Sequence, residues 1–290
     1  MKEGADPWAR WVLEKRAFGG DSKRIEASRD RMEAMRERVL AGADVQEGDV
    51  VLDVGTGDGL IAFAALPLVG ESGKVIFSDV SEELLGHCRE VAGEAVGCEF
   101  LVCSADDLPL ADESVDVVTT RSVLIYVKDK ACAFGEFHRV LRLGGRLSIF
   151  EPVNRFGYPW PPERFFGYDV TPMIDLTKKV MAVYDRLQPP DDPMLDFDER
   201  DLLQQVEEAR FRDVRMTLEA EIEPRPMAAG FSWDSFLKLA GNPRVPPLEK
   251  VLDEALTPEE KERFSAHLRP LVERGEGDSR LAVAYLRAIK

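Results

Sequence analysis

Three glycines spaced two residues apart, Gly55, Gly57 and Gly59, follow an apolar run that ends at Val54. Glycine adopts left-handed backbone angles and has no Cβ, so the main chain of such a turn can lie directly against a ligand. The apolar residues that come next predict a helix, whose first N–H groups lack partners within the helix. The stretch that Asp53 opens therefore predicts a binding loop between a buried strand and a helix.

The spacing of the glycines separates two classes of nucleotide-binding protein. The dinucleotide pattern G-x-G-x-x-G would require glycine at position 60, where this chain has Leu60. The pattern present is G-x-G-x-G, preceded by an acidic residue at Asp53. An NAD-dependent oxidoreductase is therefore the less favoured interpretation of the loop.

A carboxylate ends the second predicted strand. Asp79 closes the run 74–78 and lies 20 residues after Gly59. A carboxylate at a strand end beside the glycine loop can accept hydrogen bonds from both hydroxyls of a ribose. A helix cap is the alternative role, for which Ser81 competes. We expect Asp79 to bind a ribose.

Alternating strand and helix patterns position these residues. Strands are predicted at 50–54, 74–78, 98–102, 115–119 and 145–151, and helices at 59–68, 82–94 and 129–142. Strands joined in this way run parallel, because parallel neighbours need crossover connections. The pattern therefore predicts a doubly wound α/β sheet whose ligand lies beyond the carboxyl end of the first strand.

The pattern changes at both ends of this block. Residues 1–47 read as a helical arm, in which Asp21-Ser22 would cap a helix that runs to about Leu40. Two insertions, 152–197 and 224–277, interrupt the later part of the chain, and the first contains a predicted helix at 172–187. A helix at 198–209 and a strand at 214–222 are predicted between the insertions, and a last strand is predicted at 281–286. We expect one domain, 48–290, that carries both insertions as caps.

Composition limits the function classes. The chain has 38 basic and 54 acidic residues, a net charge of −16, which disfavours binding to nucleic acid. It has no apolar leader and no apolar run of membrane-spanning length, so we expect a cytoplasmic protein that is not bound to a membrane. Four cysteines without C-x-x-C spacing and three histidines predict reduced thiols and no metal site.

Several ordered motifs together resemble the class I S-adenosylmethionine-dependent methyltransferases. The glycine loop resembles the first motif of that family. Residues 103–110 are similar to D-A-E-x-L-P-F, residues 114–121 to S-F-D-x-V, and residues 137–147 to E-x-x-R-V-L-K-P-G-G, with Gly144-Gly145 expected to cap a helix. The resemblance covers residues 48–151 and 198–222. It implies a mostly parallel, Rossmann-like sheet of seven strands with helical insertions.

The resemblance implies S-adenosylmethionine as the cofactor. The residues that would bind it are Asp53, Gly55, Thr56, Gly57, Gly59, Asp79, Val80, Ser104, Ala105, Asp106, Thr120 and Arg121. The family holds adenine at the turn that follows the third strand, where its first acidic position is Ser104 here. This departure leaves Asp106 as the candidate partner of the exocyclic amine.

The reaction that the resemblance implies is in-line transfer of a methyl group to a small apolar or aromatic metabolite at oxygen, nitrogen or carbon. Such catalysis rests on proximity and alignment, with a proton acceptor where the nucleophile is a hydroxyl. The candidate catalytic residues are Tyr126, Glu151 and Tyr168, although both tyrosines could serve in packing. A non-catalytic S-adenosylmethionine-binding protein is the other alternative.

The first insertion is the candidate substrate lid. Residues 152–197 follow the fifth strand and must emerge beside the glycine loop. Their aromatic side chains suit a pocket that excludes water and binds an apolar ligand. A homodimer interface is the alternative role of this segment.

Overall fold

A seven-stranded sheet organises the protein. The computed structural model describes residues 6–15 and 22–290. The strands of this sheet are β1 (Val50–Val54), β2 (Lys74–Asp79), β3 (Cys98–Val102), β4 (Val115–Arg121), β5 (Leu141–Pro152), β8 (Arg212–Glu223) and β9 (Ser279–Ile289), and the hairpin β6 (Arg164–Phe165) and β7 (Tyr168–Asp169) stands apart. Their order is β3-β2-β1-β4-β5-β9-β8. Strands β1 to β5 pair in parallel and β9 is antiparallel to both of its neighbours, which confirms the predicted fold class.

The helices occupy both faces of the sheet and both insertions. They are α1 (Pro7–Arg10), α2 (Ser22–Ala43), α3 (Ala62–Val69), α4 (Glu82–Ala92), α5 (Lys130–Val140), α6 (Ile174–Leu187), α7 (Glu199–Glu208), α8 (Trp233–Leu237), α9 (Leu248–Ala255) and α10 (Pro258–Arg274). Asp21, the predicted cap of α2, lies outside the described residues. No helix among the described residues is long and apolar enough to cross a membrane.

Two predicted helix boundaries were wrong for local reasons. Helix α3 begins at Ala62 and not at Gly59, because the glycines hold left-handed angles up to Gly59. Helix α5 ends at Val140, and Gly144-Gly145 lie within β5 and do not cap the helix. A Cβ on Gly145 would stand 2.8 Å from the Arg142 carbonyl oxygen and 3.2 Å from the Asp116 carbonyl oxygen of the paired strand, so close backbone packing accounts for this glycine.

The two insertions share one hydrophobic core. Phe165 packs against Phe264 with ring centroids 5.7 Å apart, and Phe166 packs against Phe236 at 5.9 Å. The buried cluster to which they belong draws on both insertions and is separate from the clusters on the sheet. Each fully buried aromatic side chain contributes about 2 kcal/mol or more by burial, so neither insertion buries its apolar surface without the other. We therefore propose that the domain 48–290 carries a single composite cap.

Candidate functional site

The strand register brings the predicted binding residues to one edge. Val54, the last residue of β1, pairs with Ser78 on one side and Thr120 on the other. Asp79 and Arg121 each follow these partners by one residue. Because β1 lies between β2 and β4, connections leave it in both directions and open a crevice at its carboxyl end.

The three glycines of the loop differ in what their missing side chains would meet. A Cβ on Gly55 would lie 2.4 Å from Cγ2 of Val123, and one on Gly59 would lie 2.4 Å from the ring of Phe63. Packing therefore requires glycine at both positions. Gly57, with φ of +58°, has nothing within 4 Å of its Cβ position. The main chain at Gly57 thus borders open space that a ligand can occupy.

Asp79 connects the loop to the next helix. Its Oδ2 accepts a hydrogen bond from the Gly57 N–H at 2.9 Å, and its Oδ1 accepts one from the Ser81 N–H at 2.9 Å. The helix cap is Ser81, whose Oγ accepts from the Leu84 N–H, so Asp79 does not have that role. Burial raises the pKa of Asp79. A fixed carboxylate beside the glycine loop suits the hydroxyls of a ribose, the role that we propose for it.

Asp53 lies beneath the loop. Its carboxylate accepts hydrogen bonds from the hydroxyls of Thr56, at 2.8 Å, and Thr119, at 2.7 Å. Burial raises the pKa of Asp53 to about 6, although these hydrogen bonds oppose the shift. Since only 2% of Asp53 is exposed, we propose that it orders the loop and adds negative potential, whereas Gly57 contacts the ligand.

Three buried polar atoms at this edge lack a partner among the described residues. They are Oγ1 of Thr120, Nε of Arg121 and Oδ1 of Asp58. Buried polar atoms in folded proteins are almost always hydrogen-bonded, so we propose these three as hydrogen-bond partners of a polar ligand. They include a hydroxyl, a guanidinium donor and a carboxylate acceptor, which fit the amino and carboxylate groups of an amino-acid-like ligand. The sequence motifs indicated Thr120 and Arg121 but not Asp58.

The turn after β3 stands next to Asp79. The Cys103 N–H donates to the Asp79 carbonyl oxygen at 3.1 Å, and the Ser104 hydroxyl donates to the carboxylate of Asp106. Ala105 is buried, whereas Val80 is 54% exposed. An exposed valine beside a polar turn suits a flat, nitrogen-rich ring, in agreement with the adenine contacts proposed for Val80, Ser104, Ala105 and Asp106.

Glu151 does not reach the crevice. Its Oε1 accepts from the N–H groups of Val123 and Leu124, and its Oε2 accepts from that of Ile125. The side chain has no exposed surface, and burial raises its pKa to about 7. These contacts hold the short 3₁₀ helix Leu124–Tyr126 that follows β4. Glu151 is therefore a positioning residue, and the predicted catalytic role lacks the necessary access.

Replacing Glu151 with glutamine is expected to flatten the pH dependence of stability. Because the pKa of Glu151 is near 7 in the folded protein and near 4.5 in the unfolded chain, protonation stabilises the fold as the pH falls between these values. The contribution is about 3 kcal/mol, and Asp53 acts in the same direction. Urea unfolding at pH 5, 6, 7 and 8 measures it, with exposed Glu83→Gln as the control. Equal slopes for wild type and Glu151→Gln would contradict this explanation.

The two candidate tyrosines lie in different places. Tyr168 has no exposed surface and packs against Phe236 in the core of the insertions, with ring centroids 5.5 Å apart, so the structure does not bring it to the crevice. Tyr126 is partly exposed and stands in the 3₁₀ helix that Glu151 holds. The ring of Trp8 packs edge-on against it at 4.7 Å. Tyr126 is therefore the predicted catalytic residue that this edge retains.

Sequence reasoning missed two residues that border Tyr126. Trp8 comes from the amino-terminal arm, and Arg244 from the second insertion lies with its guanidinium carbon 6.0 Å from the centre of the Tyr126 ring. Neither belongs to a motif, and both are more than 100 residues from Tyr126 in the sequence. The sequence shows Trp8 and Trp11 in this arm, but no periodic pattern indicates that Trp8 contacts Tyr126.

Comparisons with known proteins agree with this geometry. Residues 45–182 match a family model described as a methyltransferase domain. An arsenite methyltransferase from Halobacterium salinarum is 37% identical over 121 residues, and a ubiquinone/menaquinone biosynthesis C-methyltransferase UbiE from Xanthomonas campestris is 36% identical over 121 residues. Each match covers 41% of this chain, and they cover 31% and 48% of the two relatives. This chain thus spans less than half the length of either relative.

A solved structure shows the same fold. The structure of a putative methyltransferase from Bacillus halodurans aligns with a TM-score of 0.53 and 20% sequence identity. The alignment covers 88% of this chain and 98% of that one. At this identity, the likeness concerns the arrangement of the sheet and its helices.

Proposed function

We propose that this chain carries a class I S-adenosylmethionine-dependent methyltransferase domain and transfers the methyl group of S-adenosylmethionine to a small metabolite. The observation that carries the proposal is the open space at Gly57 beside the fixed carboxylate of Asp79. A glycine main chain and a strand-end carboxylate are the groups that a nucleoside needs at the switch point of such a sheet. The unpartnered atoms of Thr120, Arg121 and Asp58 lie at the same edge.

The charges at the edge support a cationic cofactor. Asp53, Asp58 and Asp79 all lie on the glycine loop or next to it, within a chain of net charge −16. A negative potential in a partly buried crevice favours a positively charged sulfonium and ammonium over a neutral ligand. When bound, S-adenosylmethionine supplies an electrophilic methyl group on sulfur. The chain's own contribution is to orient the acceptor and exclude water.

Tyr126 is the residue proposed to face the acceptor. Glu151 fixes the 3₁₀ helix that carries it, and Trp8 packs on its ring. A tyrosine in this place can orient a hydroxyl or amine acceptor, or take up its proton. The aromatic composite cap suits an apolar or aromatic acceptor. The names of the two relatives indicate different methyl acceptors. The acceptor atom for this chain must therefore be determined by experiment.

If the chain were an oxidoreductase, Tyr126 could act together with a lysine as a catalytic dyad. Tyr126 and Lys130 stand four residues apart, the spacing of a Tyr-x-x-x-Lys dyad. However, Lys130 is buried, and its ammonium donates to the Val127 carbonyl oxygen and to Asp196. These contacts hold Lys130 in a structural role. Together with Leu60, they disfavour a nicotinamide reaction.

A non-catalytic S-adenosylmethionine-binding protein is the second candidate. One observation favours it, namely that Glu151 and Tyr168 are wholly buried, which leaves Tyr126 as the candidate catalytic side chain. Transfer by proximity alone needs few dedicated residues, so an enzyme and a non-catalytic binding protein would have the same glycine loop.

The cytoplasm is the proposed location, because all four cysteines are free thiols. Light scattering is the measurement that determines whether the chain forms a homodimer.

Calorimetry and a turnover screen test the proposal. We expect the full chain to bind S-adenosylmethionine and S-adenosylhomocysteine and not NAD. Incubation with S-adenosylmethionine and pooled small acids, phenols and amines should then form S-adenosylhomocysteine, measured by mass spectrometry. Binding without turnover in every pool would favour the non-catalytic candidate, and binding of NAD alone would overturn both. Light scattering on the same samples gives the subunit number.

A further inference from the structure

A cavity of about 270 Å³ lies between the amino-terminal arm and the loop 240–247 of the second insertion. We name it the arm pocket. The residues that matter for its chemistry are Arg10, Trp11, Asn242 and Arg244. A water molecule occupies about 30 Å³ of liquid volume, so the cavity can accommodate a group of several heavy atoms.

The charge of the arm pocket is opposite to that of the protein. Both ionisable residues in its lining are arginines, in a chain with a net charge of −16. Arg244 lies 3.5 Å from the carboxylate of buried Asp192, whereas no ion pair joins Arg10 to another described residue. The lining itself therefore carries two guanidiniums and no carboxylate. An anion can bind there even though the whole surface repels it.

The walls of the arm pocket are held in place. The Trp11 indole N–H donates to the Ala240 carbonyl oxygen at 3.4 Å. The Asn242 side chain is buried and accepts from the Arg244 N–H at 2.8 Å, which fixes the turn that presents Arg244. Pro243, Pro246 and Pro247 stiffen the same loop. A rigid arginine fork loses less entropy when it binds a carboxylate or phosphate.

Arg244 keeps donors available for a ligand. One terminal nitrogen faces Asp192 and the other lies 3.5 Å from the Tyr126 carbonyl oxygen, which uses two of the five N–H groups at long distances. A carboxylate or phosphate that accepts from a guanidinium in a fork geometry would make shorter and stronger bonds.

The arm pocket lies beside the proposed methyl-transfer site. Arg244 borders both, since its guanidinium carbon is 6.0 Å from the centre of the Tyr126 ring. The same arm that supplies Arg10 places Trp8 against Tyr126. Helix α1 of this arm also packs against α4, whose first residues follow Asp79. A molecule that contacts Tyr126 can therefore extend one end towards the two arginines.

We propose that the arm pocket binds an anionic group, a carboxylate or a phosphate, of the methyl acceptor. This inference rests on the proposed function and narrows it to an acceptor whose apolar body ends in an anion. Arg10 and Arg244 determine specificity and take no part in holding the cofactor. The arm pocket thus explains why two arginines 234 residues apart converge in an acidic protein.

The test uses inorganic phosphate and acetate as probes on the full chain with saturating S-adenosylhomocysteine, which keeps the probes away from the glycine loop. Phosphorus NMR line broadening at constant ionic strength measures phosphate binding, and competition by acetate distinguishes the two anions. We expect Arg10→Ala and Arg244→Ala each to weaken phosphate binding about 10-fold, the effect of losing one charge-assisted contact. Exposed Arg225→Ala removes the same charge elsewhere and should change nothing.

Separate measurements keep the two proposals apart. Calorimetry with S-adenosylhomocysteine should give wild-type affinity in all three variants, and failure of wild type to bind it would overturn the proposed function alone. Equal phosphate affinity in wild type, Arg10→Ala and Arg244→Ala would overturn the arm pocket alone. Arg10 is exposed and lies on a short helix, so its variant decides the matter if loss of the Asp192 contact unfolds Arg244→Ala.

Discussion

Replacing Asp79 with alanine is expected to weaken binding of S-adenosylhomocysteine by roughly 10- to 100-fold, since one or two hydrogen bonds to a charged group contribute about 1.5–3 kcal/mol. The carboxylate also receives the Gly57 and Ser81 N–H groups, so its loss loosens the loop that borders the ligand. Both effects act on the cofactor and leave the composite cap unchanged. Calorimetry on wild type and variant measures the difference.

Ser81→Ala is the matched control for this experiment. It removes the hydroxyl that accepts from the Leu84 N–H and costs about 1 kcal/mol of helix capping, but leaves the carboxylate of Asp79 in place. We expect Ser81→Ala to lower the melting temperature and keep the cofactor affinity. Wild-type affinity in a folded Asp79→Ala protein would show that Asp79 only fixes the loop.

Replacing Gly57 with valine is expected to abolish binding of the cofactor while the protein remains folded. The Cβ would extend into space where no atom lies within 4 Å, so the protein tolerates it sterically and a ligand in contact with the loop does not. Backbone strain is the cost to the fold, because φ is +58° and a β-branched residue resists that angle by about 1–2 kcal/mol. Thermal melts with and without S-adenosylhomocysteine report both effects.

Gly93→Val is the control that separates the effect of backbone strain from the effect of blocking the ligand site. Gly93 follows helix α4, has φ of +56°, and also has open space at its Cβ position. The same substitution there should lower stability by a similar amount and leave cofactor binding unchanged. If Gly57→Val binds as tightly as Gly93→Val, the open space at Gly57 is not the ligand site.

The parallel, doubly wound sheet could be predicted because its signals are local. Strand and helix lengths alternate from Val50 onwards, and a parallel sheet with right-handed crossovers is the arrangement that such lengths allow. The glycine loop followed for the same reason, since the left-handed angles at Gly55, Gly57 and Gly59 are a property of the residue itself. The position of Asp79 relative to the loop is set by strand pairing, which the sequence spacing already implied.

The predicted catalytic set depended on information that the sequence does not carry. A residue at the end of a strand can project towards the crevice or into the protein. Glu151 proved to bind three main-chain N–H groups that the 3₁₀ helix after β4 leaves unpaired. Tyr168 was placed on a lid by its position after β5, but the second insertion packs around it and removes it from solvent.

The sequence by itself determined the proposed cofactor site, because the glycine loop, Asp79 and the turn after β3 come from one continuous α/β block with regular spacing. Only the tertiary structure decided the proposed acceptor site. Tyr126, Trp8 and Arg244 come from β4's loop, the amino-terminal arm and the second insertion, and meet through side-chain packing over more than 100 residues of sequence. Contacts between residues so far apart in sequence depend on how complementary apolar surfaces fit together. The spacing of residues within a single helix or strand does not predict that fit.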